Sequence, residues 1–119
     1  MLLAGISDGM LDTYLADGPF VPLTEQTIVE PDALRAELER VRMLGYAIDE
    51  REIYDDLRCV SVPVHNTRGA VVAALSLAGS TSVLTVDRVE EFAALLREQA
   101  GQLVRKLFPH ASITPRLPN

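Results

Sequence analysis

The stretch Gly45–Ser80, GYAIDEREIYDDLRCVSVPVHNTRGAVVAALSLAGS, decides the fold of this chain. It contains two runs rich in β-forming residues, Leu57–His65 and Ala70–Gly79. The tetrapeptide Asn66-Thr67-Arg68-Gly69 joins them and has the composition of a tight turn. Two such runs separated by a short turn with a glycine predict a β-hairpin.

The pairing of these two strands decides which side chains lie together. If His65 pairs with Ala70 across the turn, Cys59 lies opposite Ser76. Because side chains alternate along a strand, the hairpin then has a core face and a small-residue face. The core face comprises Val60, Val62, Val64, Val71, Ala73, Leu75 and Leu77. The small-residue face comprises Cys59, Ser61, Pro63, Val72, Ala74, Ser76 and Ala78, with Ser61 opposite Ala74.

The small-residue face has two interpretations. Small side chains leave a hollow above the sheet, and a ligand site needs such a floor together with a few placed polar groups. Alternatively, a helix packs closely over these side chains and fills the space. The residues alone leave both interpretations open.

Length and composition limit the class of protein. The 119 residues are enough for one domain with a core, and too few for two. A hydrophobic content of 48% and a charged content of 24% are typical of globular chains. The net charge of −6 argues against binding to a nucleic-acid backbone, which requires clustered Lys and Arg.

Three further features predict a cytoplasmic protein without membrane association. The longest apolar run, Ala70–Ala78, is too short to cross a bilayer. Met1 is not followed by the basic leader of a signal peptide. The single cysteine excludes an intramolecular disulfide and fits a reducing compartment.

Apolar periodicity and capping residues predict three helices around the hairpin. They are Asp8–Asp17 capped by Ser7, a helix that begins at Pro31 and ends at Gly45, and Val86–Phe108 capped by Thr85. Short strands are predicted at Gln26–Val29 and Tyr46–Ile48. We expect residues 1–108 to form one domain and residues 109–119 to form a flexible tail.

Candidate catalytic and metal-binding residues are few. A thiolate nucleophile needs a nearby base, but Arg58 points away from Cys59, His65 is at the turn and His110 is in the tail. The His and Cys residues also lack the spacing of metal ligands. The acidic segment Asp49–Asp56 has two interpretations, a solvated loop or a cation site.

An ordered set of short motifs resembles the effector-binding domain of IclR-family transcriptional regulators. The motifs are Gly45–Asp49, Leu57–Cys59, Val62–Val64 and Gly69–Gly79, with flanking similarity at Leu2–Ala4, Pro31–Leu38 and Thr85–Val89. Each motif is short, but together they extend from residue 1 to residue 107 in one register.

The resemblance implies an α+β domain of GAF-like architecture, with helices packed on a curved, mostly antiparallel sheet that is incomplete on its N-terminal side. Family members form dimers or dimers of dimers and bind operators through a winged helix-turn-helix, and many of them sense small organic acids. We therefore expect an organic-acid effector, homo-oligomers, no cofactor and no enzymatic activity.

By their positions in the motifs, Asp49, Cys59 and Ser76 match pocket residues of the family, and Ala78 stands where a second serine is common. Ser76 is expected to hydrogen-bond a ligand carboxylate or hydroxyl, and Cys59 to form a compact wall. Asp49 would repel an acid unless it accepts a hydrogen bond from a ligand hydroxyl or holds backbone donors in place.

This sequence departs from the family pattern at its beginning. It lacks the winged helix, so we expect it not to bind operator DNA alone. It also lacks the strands and pocket loop that precede Leu2 in the family, which predicts an exposed sheet edge and an apolar face. Either the chain is a fragment or a partner chain covers that surface.

Two hypotheses therefore remain. One is a ligand-sensing domain with a pocket over Cys59 and Ser76. The other is a structural or dimerisation module whose hollow is filled by its own side chains. A small hydrolase or isomerase comes third, because no base is placed beside a nucleophile.

Overall fold

Three strands form an antiparallel sheet at the centre of the structure, a computed structural model that describes residues 1–109. The strands are β1 (Ala47–Glu50), β2 (Leu57–His65) and β3 (Val71–Ser80), in the order β1-β2-β3. The central strand is β2, and within residues 1–109 β3 is an edge strand. The predicted tail, beyond Pro109, lies outside the described residues.

Three helices flank this sheet, which confirms the predicted α+β class. They are α1 (Asp8–Ala16), α2 (Pro31–Leu44) and α3 (Val89–Leu107), with short 3-10 helices at Leu2–Gly5 and Val86–Arg88. The Ser7 side chain caps α1 by accepting a hydrogen bond from the Met10 N–H at 3.3 Å. Gly45 ends α2 with a φ of 74°, in the left-handed region that glycine adopts without strain.

Two predicted elements differ from the structure. The segment Gln26–Val29 does not form a strand. It begins within a turn tied together by a side chain, since Thr27 Oγ1 accepts hydrogen bonds from the backbone N–H groups of Leu23 and Thr24 at 3.0 Å. The predicted third helix begins as the 3-10 helix and becomes α-helical only at Val89.

The predicted turn of the hairpin is confirmed. The Gly69 N–H donates to the Asn66 carbonyl oxygen at 3.0 Å. The side-chain oxygen of Asn66 accepts from the N–H groups of Arg68 and Ala70 at 2.9 and 3.0 Å. Asn66 therefore organises the turn through its side chain as well as its backbone.

The predicted strand register is wrong by two residues. His65 pairs with Val71 instead of Ala70, and a bulge at the next pair places Val64 opposite Ala73. Cys59 therefore lies opposite Ala78 and not opposite Ser76. The displacement is an even number of residues, so beyond the bulge each side chain keeps its predicted face.

Helix α3 packs on the core face of the sheet. Val60, Val62 and Val64 of β2 are buried there, whereas Ala73 and Leu77 are exposed because β3 is the edge strand. The buried cluster contains Tyr46, Val60, Val62, Val64, Leu84, Val89, Ala93 and Ala100, joined by Ile48, Leu75, Phe92, Leu96 and Val104.

A second apolar cluster lies on the other side of the sheet. It joins the N-terminal 3-10 helix, α1 and α2 through Ala4, Leu11, Leu15, Leu38 and Val41, and it contacts Ala47 of β1. Helices therefore approach the small-residue face at β1, and the N-terminal 3-10 helix also contacts β3 near Val71. On β2 and β3, Cys59 and Ser61 are half-buried, and Ser76 and Ala78 are exposed.

Candidate functional site

Three of the four predicted site residues form one row across the sheet. Asp49 of β1 pairs with Cys59 of β2, and Cys59 pairs with Ala78 of β3. Directly paired residues of antiparallel strands point to the same face. The structure therefore brings these side chains together on the small-residue face.

Ser76 lies in the neighbouring row, with Ala47 and Ser61. Rows on one face are separated by two residues along each strand, roughly 6.6 Å. The Ser76 hydroxyl donates a hydrogen bond to Ser61 Oγ at 2.8 Å. Ser61 was not among the predicted site residues, because the expected register placed it opposite Ala74.

The carboxylate of Asp49 holds a backbone donor. Its Oδ1 accepts a hydrogen bond from the Glu52 N–H at 2.8 Å across a tight turn. Arg51, inside that turn, has a φ of 57°, which is uncommon for a residue other than glycine. This contact holds a backbone donor in place, as the second of the two roles considered for Asp49 requires.

Two threonines fix the same turn from outside. The Thr24 hydroxyl donates to the Arg51 carbonyl at 2.6 Å, and the Thr27 hydroxyl donates to the Glu52 carbonyl at 2.5 Å. Sequence reasoning missed both residues, because they lie about 25 positions away and no periodic pattern links them to the turn. They anchor the segment before α2 beside the site.

Burial and charge act together on the ionisable groups near this row. Burial raises the pKa of the Cys59 thiol, and the neighbouring Asp49 carboxylate raises it further. The thiol therefore stays protonated at neutral pH, which makes it a weakly polar wall and a poor nucleophile. Burial, and secondarily the charge of Asp49, also raises the pKa of Glu52.

The Arg58 side chain lies on the opposite face from Cys59, as predicted, and ties the two strands together there. It is only 5% exposed, and its Nε and Nη2 donate to the two carboxylate oxygens of Glu50 at 2.6 Å each. Its Nη1 donates to the Leu84 carbonyl oxygen. These contacts tie β1 and β2, beside Asp49 and Cys59, to the loop before α3.

The acidic segment is engaged in protein contacts at its N-terminal end, where Glu50 pairs with Arg58 and Asp49 with a backbone N–H. Within residues 1–109, no three side chains of the types that ligate metals are grouped to hold an ion. In the same part of the chain, no helix combines the length and apolar character needed to cross a bilayer.

A family model described as bacterial transcriptional regulator IclR C-terminal matches residues 1–105. This chain belongs to the IclR family. It is 38% identical to the transcriptional repressor AllR of Escherichia coli over 102 residues, covering 86% of this chain and 38% of AllR. It is 36% identical to the regulator KdgR of Escherichia coli over 87 residues, covering 73% of this chain and 33% of KdgR.

The fold agrees with a solved member of the IclR family. The crystal structure of Thermotoga maritima IclR superposes with a TM-score of 0.81 at 36% identity, covering 89% of this chain and 43% of that one. The chain thus spans less than half the length of each of these three regulators. The matched part is their C-terminal domain.

Proposed function

We propose that this chain is the effector-binding domain of an IclR-type regulator and binds a small organic acid on the small-residue face. The observation that carries the proposal is the row formed by Asp49, Cys59 and Ala78, with the hydroxyl pair of Ser61 and Ser76 beside it. These residues provide a floor of small side chains and a few placed polar groups, as a small-molecule site requires.

The proposed site has a division of roles. Ser76 hydrogen-bonds the ligand, Cys59 and Ala78 form its floor, and Asp49 keeps the adjoining turn in place. Operator binding would require a helix-turn-helix segment of the kind named for KdgR and would take place in the cytoplasm. The ligand would act by changing the shape or assembly of this domain.

A thermal-shift titration of the purified chain with aliphatic and aromatic carboxylic acids tests the proposal. A ligand at one hundred times its dissociation constant adds about 2.7 kcal/mol to the free energy of unfolding and visibly raises the melting temperature. We expect a dose-dependent rise with one class of acid. A cooperatively melting protein that responds to none of them would contradict the proposal.

The variant Ser76→Leu places a bulky apolar side chain on the floor and removes a hydroxyl. We expect it to weaken binding of the responding acid at least tenfold, about 1.4 kcal/mol, without changing the oligomeric state. Thr67→Leu is the matched control, because Thr67 is exposed in the hairpin turn and lies outside the site. A normal response from Ser76→Leu would place the ligand elsewhere.

The edge strand favours a second function, homo-oligomerisation. The ten residues of β3 include no charged side chain, and Val72 on this strand is 54% exposed. A long, uncharged, apolar edge strand pairs readily with another strand. We therefore propose that the domain also assembles with a second copy, which would be its sole function if no acid binds.

A further inference from the structure

We propose that Ser61 is a further ligand-contacting residue, and that the Ser61–Ser76 pair makes the site select acids that carry a hydroxyl group. This inference rests on the proposed effector site. The observation that carries it is the 2.8 Å hydrogen bond between the two hydroxyl groups on the open part of the small-residue face.

The position of Ser61 suits this role. It lies on the central strand, paired with Ala47 on one side and Ser76 on the other. The Ala47 end of its row is covered by the cluster of α1 and α2, and the Ser76 end is exposed. Cys59 is two residues away on the same face, roughly 6.6 Å along the strand. A small acid is long enough to contact both rows.

The hydrogen-bonding capacity of the pair defines the group that it recognises. Each hydroxyl has one donor and two acceptor lone pairs. The bond between the two serines uses one donor and one lone pair, so the pair retains one O–H donor and three lone pairs. A ligand hydroxyl both donates to this pair and accepts from it, whereas a keto oxygen can only accept and a methyl group does neither.

None of the other side chains in the two rows both donates a strong hydrogen bond to a ligand hydroxyl and accepts one from it. Cys59 is a neutral and weakly polar thiol, and Ala47 and Ala78 have no polar side-chain atom. The Asp49 carboxylate, whose Oδ1 accepts from the Glu52 N–H, offers a ligand hydroxyl acceptor oxygens but no donor. A site whose polar groups are placed to bond a ligand hydroxyl discriminates against the analogue that lacks it.

Matched pairs of acids test the inference with the full chain. The probes are lactate against propionate and 4-hydroxybenzoate against benzoate, titrated into the wild type, Ser61→Ala, Ser76→Ala and the double variant. We expect the wild type to prefer the hydroxy acid of a pair. In Ser61→Ala this preference should fall roughly two- to tenfold, the range expected for one hydrogen bond. The affinity for the acid without the hydroxyl group should change less than twofold.

Controls separate recognition from stability. Thr67→Ala removes an exposed hydroxyl from the same hairpin and should keep the preference. Ser61→Thr and Ser61→Val have nearly the same shape and suit a strand, so comparing them isolates the hydroxyl even if Ser61→Ala folds poorly. Thr is expected to restore the preference and Val to lose it. In the double variant the two losses should not add, because the residues share one network.

Two results would overturn the inference and are distinguishable from failure of the proposed function. If the wild type binds an acid but has no preference for the hydroxy acid, the assigned selectivity is wrong. If the preference exists and survives in Ser61→Val, Ser61 is not in contact with the ligand. If none of the four acids and none of the wider carboxylate panel binds the wild type, the effector site itself fails and this inference fails with it.

Discussion

At the scale of single residues, the contacts of Arg58 show how a charge is accommodated inside this sheet. Its guanidinium is buried, with a carboxylate partner in Glu50 and a carbonyl partner in Leu84. Removing one partner of such an arrangement leaves the remaining polar groups without hydrogen bonds. The stability lost in this way exceeds the net contribution of the hydrogen bonds themselves. The polar contacts behind the proposed site are therefore expected to be essential for stability.

Arg58→Met should lower the free energy of unfolding by about 2 kcal/mol, because the Leu84 carbonyl loses its donor. Arg40→Met is the control. It breaks an exposed ion pair with Glu37 on α2 and should cost less than about 0.5 kcal/mol. Urea denaturation at neutral pH measures both values. Equal midpoints for the two variants would contradict this account of Arg58.

The pH dependence of the same variants checks the role of Glu50. The hydrogen bond from Arg58 lowers the pKa of the Glu50 carboxyl below its ordinary value of 4.5. The stabilisation that Glu50 gains from Arg58 is therefore fully present above pH 4.5, the ordinary pKa of the carboxyl. It is lost as the pH falls through the lowered pKa that Glu50 has in the folded state. The difference in the free energy of unfolding between the wild type and Arg58→Met should therefore become smaller in acid. The part of it that comes from the hydrogen bond between Arg58 and the Leu84 carbonyl should remain.

At the scale of elements, the N-terminal 3-10 helix is packed against β3 at Gly5. A Cβ atom added to Gly5 would lie 2.6 Å from the Cβ of Val71, closer than two such atoms can approach. The same addition at Gly9, in α1, would meet no atom within 4 Å. Alanine substitutions at Gly5 and Gly9 therefore differ in one respect, the close contact between the N-terminal 3-10 helix and β3.

Gly5→Ala should lower the free energy of unfolding by about 1 to 3 kcal/mol, since either the helix or Val71 must move. Gly9→Ala should be neutral or should raise it by up to about 1 kcal/mol, because alanine favours the helical backbone. Chemical denaturation of the two variants makes the comparison. If Gly5→Ala were as stable as Gly9→Ala, the two elements would not be in close contact.

At the scale of the whole molecule, the proposed assembly with a second copy depends on the open edge of β3. We expect the wild type to be oligomeric in sedimentation experiments, with a monomer fraction that grows on dilution. Val72→Lys places a charge on the exposed edge strand and should shift the population to monomer. Val86→Lys, at a 69% exposed position outside the sheet, should not. Unchanged association of Val72→Lys would mean that the edge is not the interface.

The sequence determined much of this architecture through local physical chemistry. The turn at Asn66, the cap at Ser7, the helix start at Pro31 and the helix end at Gly45 follow from properties of the residues themselves, and all four were predicted correctly. The two faces of the hairpin were also predictable, because alternation along a strand is a local rule. The motifs further indicated the IclR family, which the family match confirms.

Tertiary structure alone decided the register and the neighbours of the site. The bulge next to the pair His65–Val71 shifts the pairing of the two strands, so local pairing rules misplaced Cys59 by two residues. The serine pair and the threonine anchors at Thr24 and Thr27 join residues distant along the chain. Periodicity describes only one element at a time, and such contacts form between elements when the chain packs.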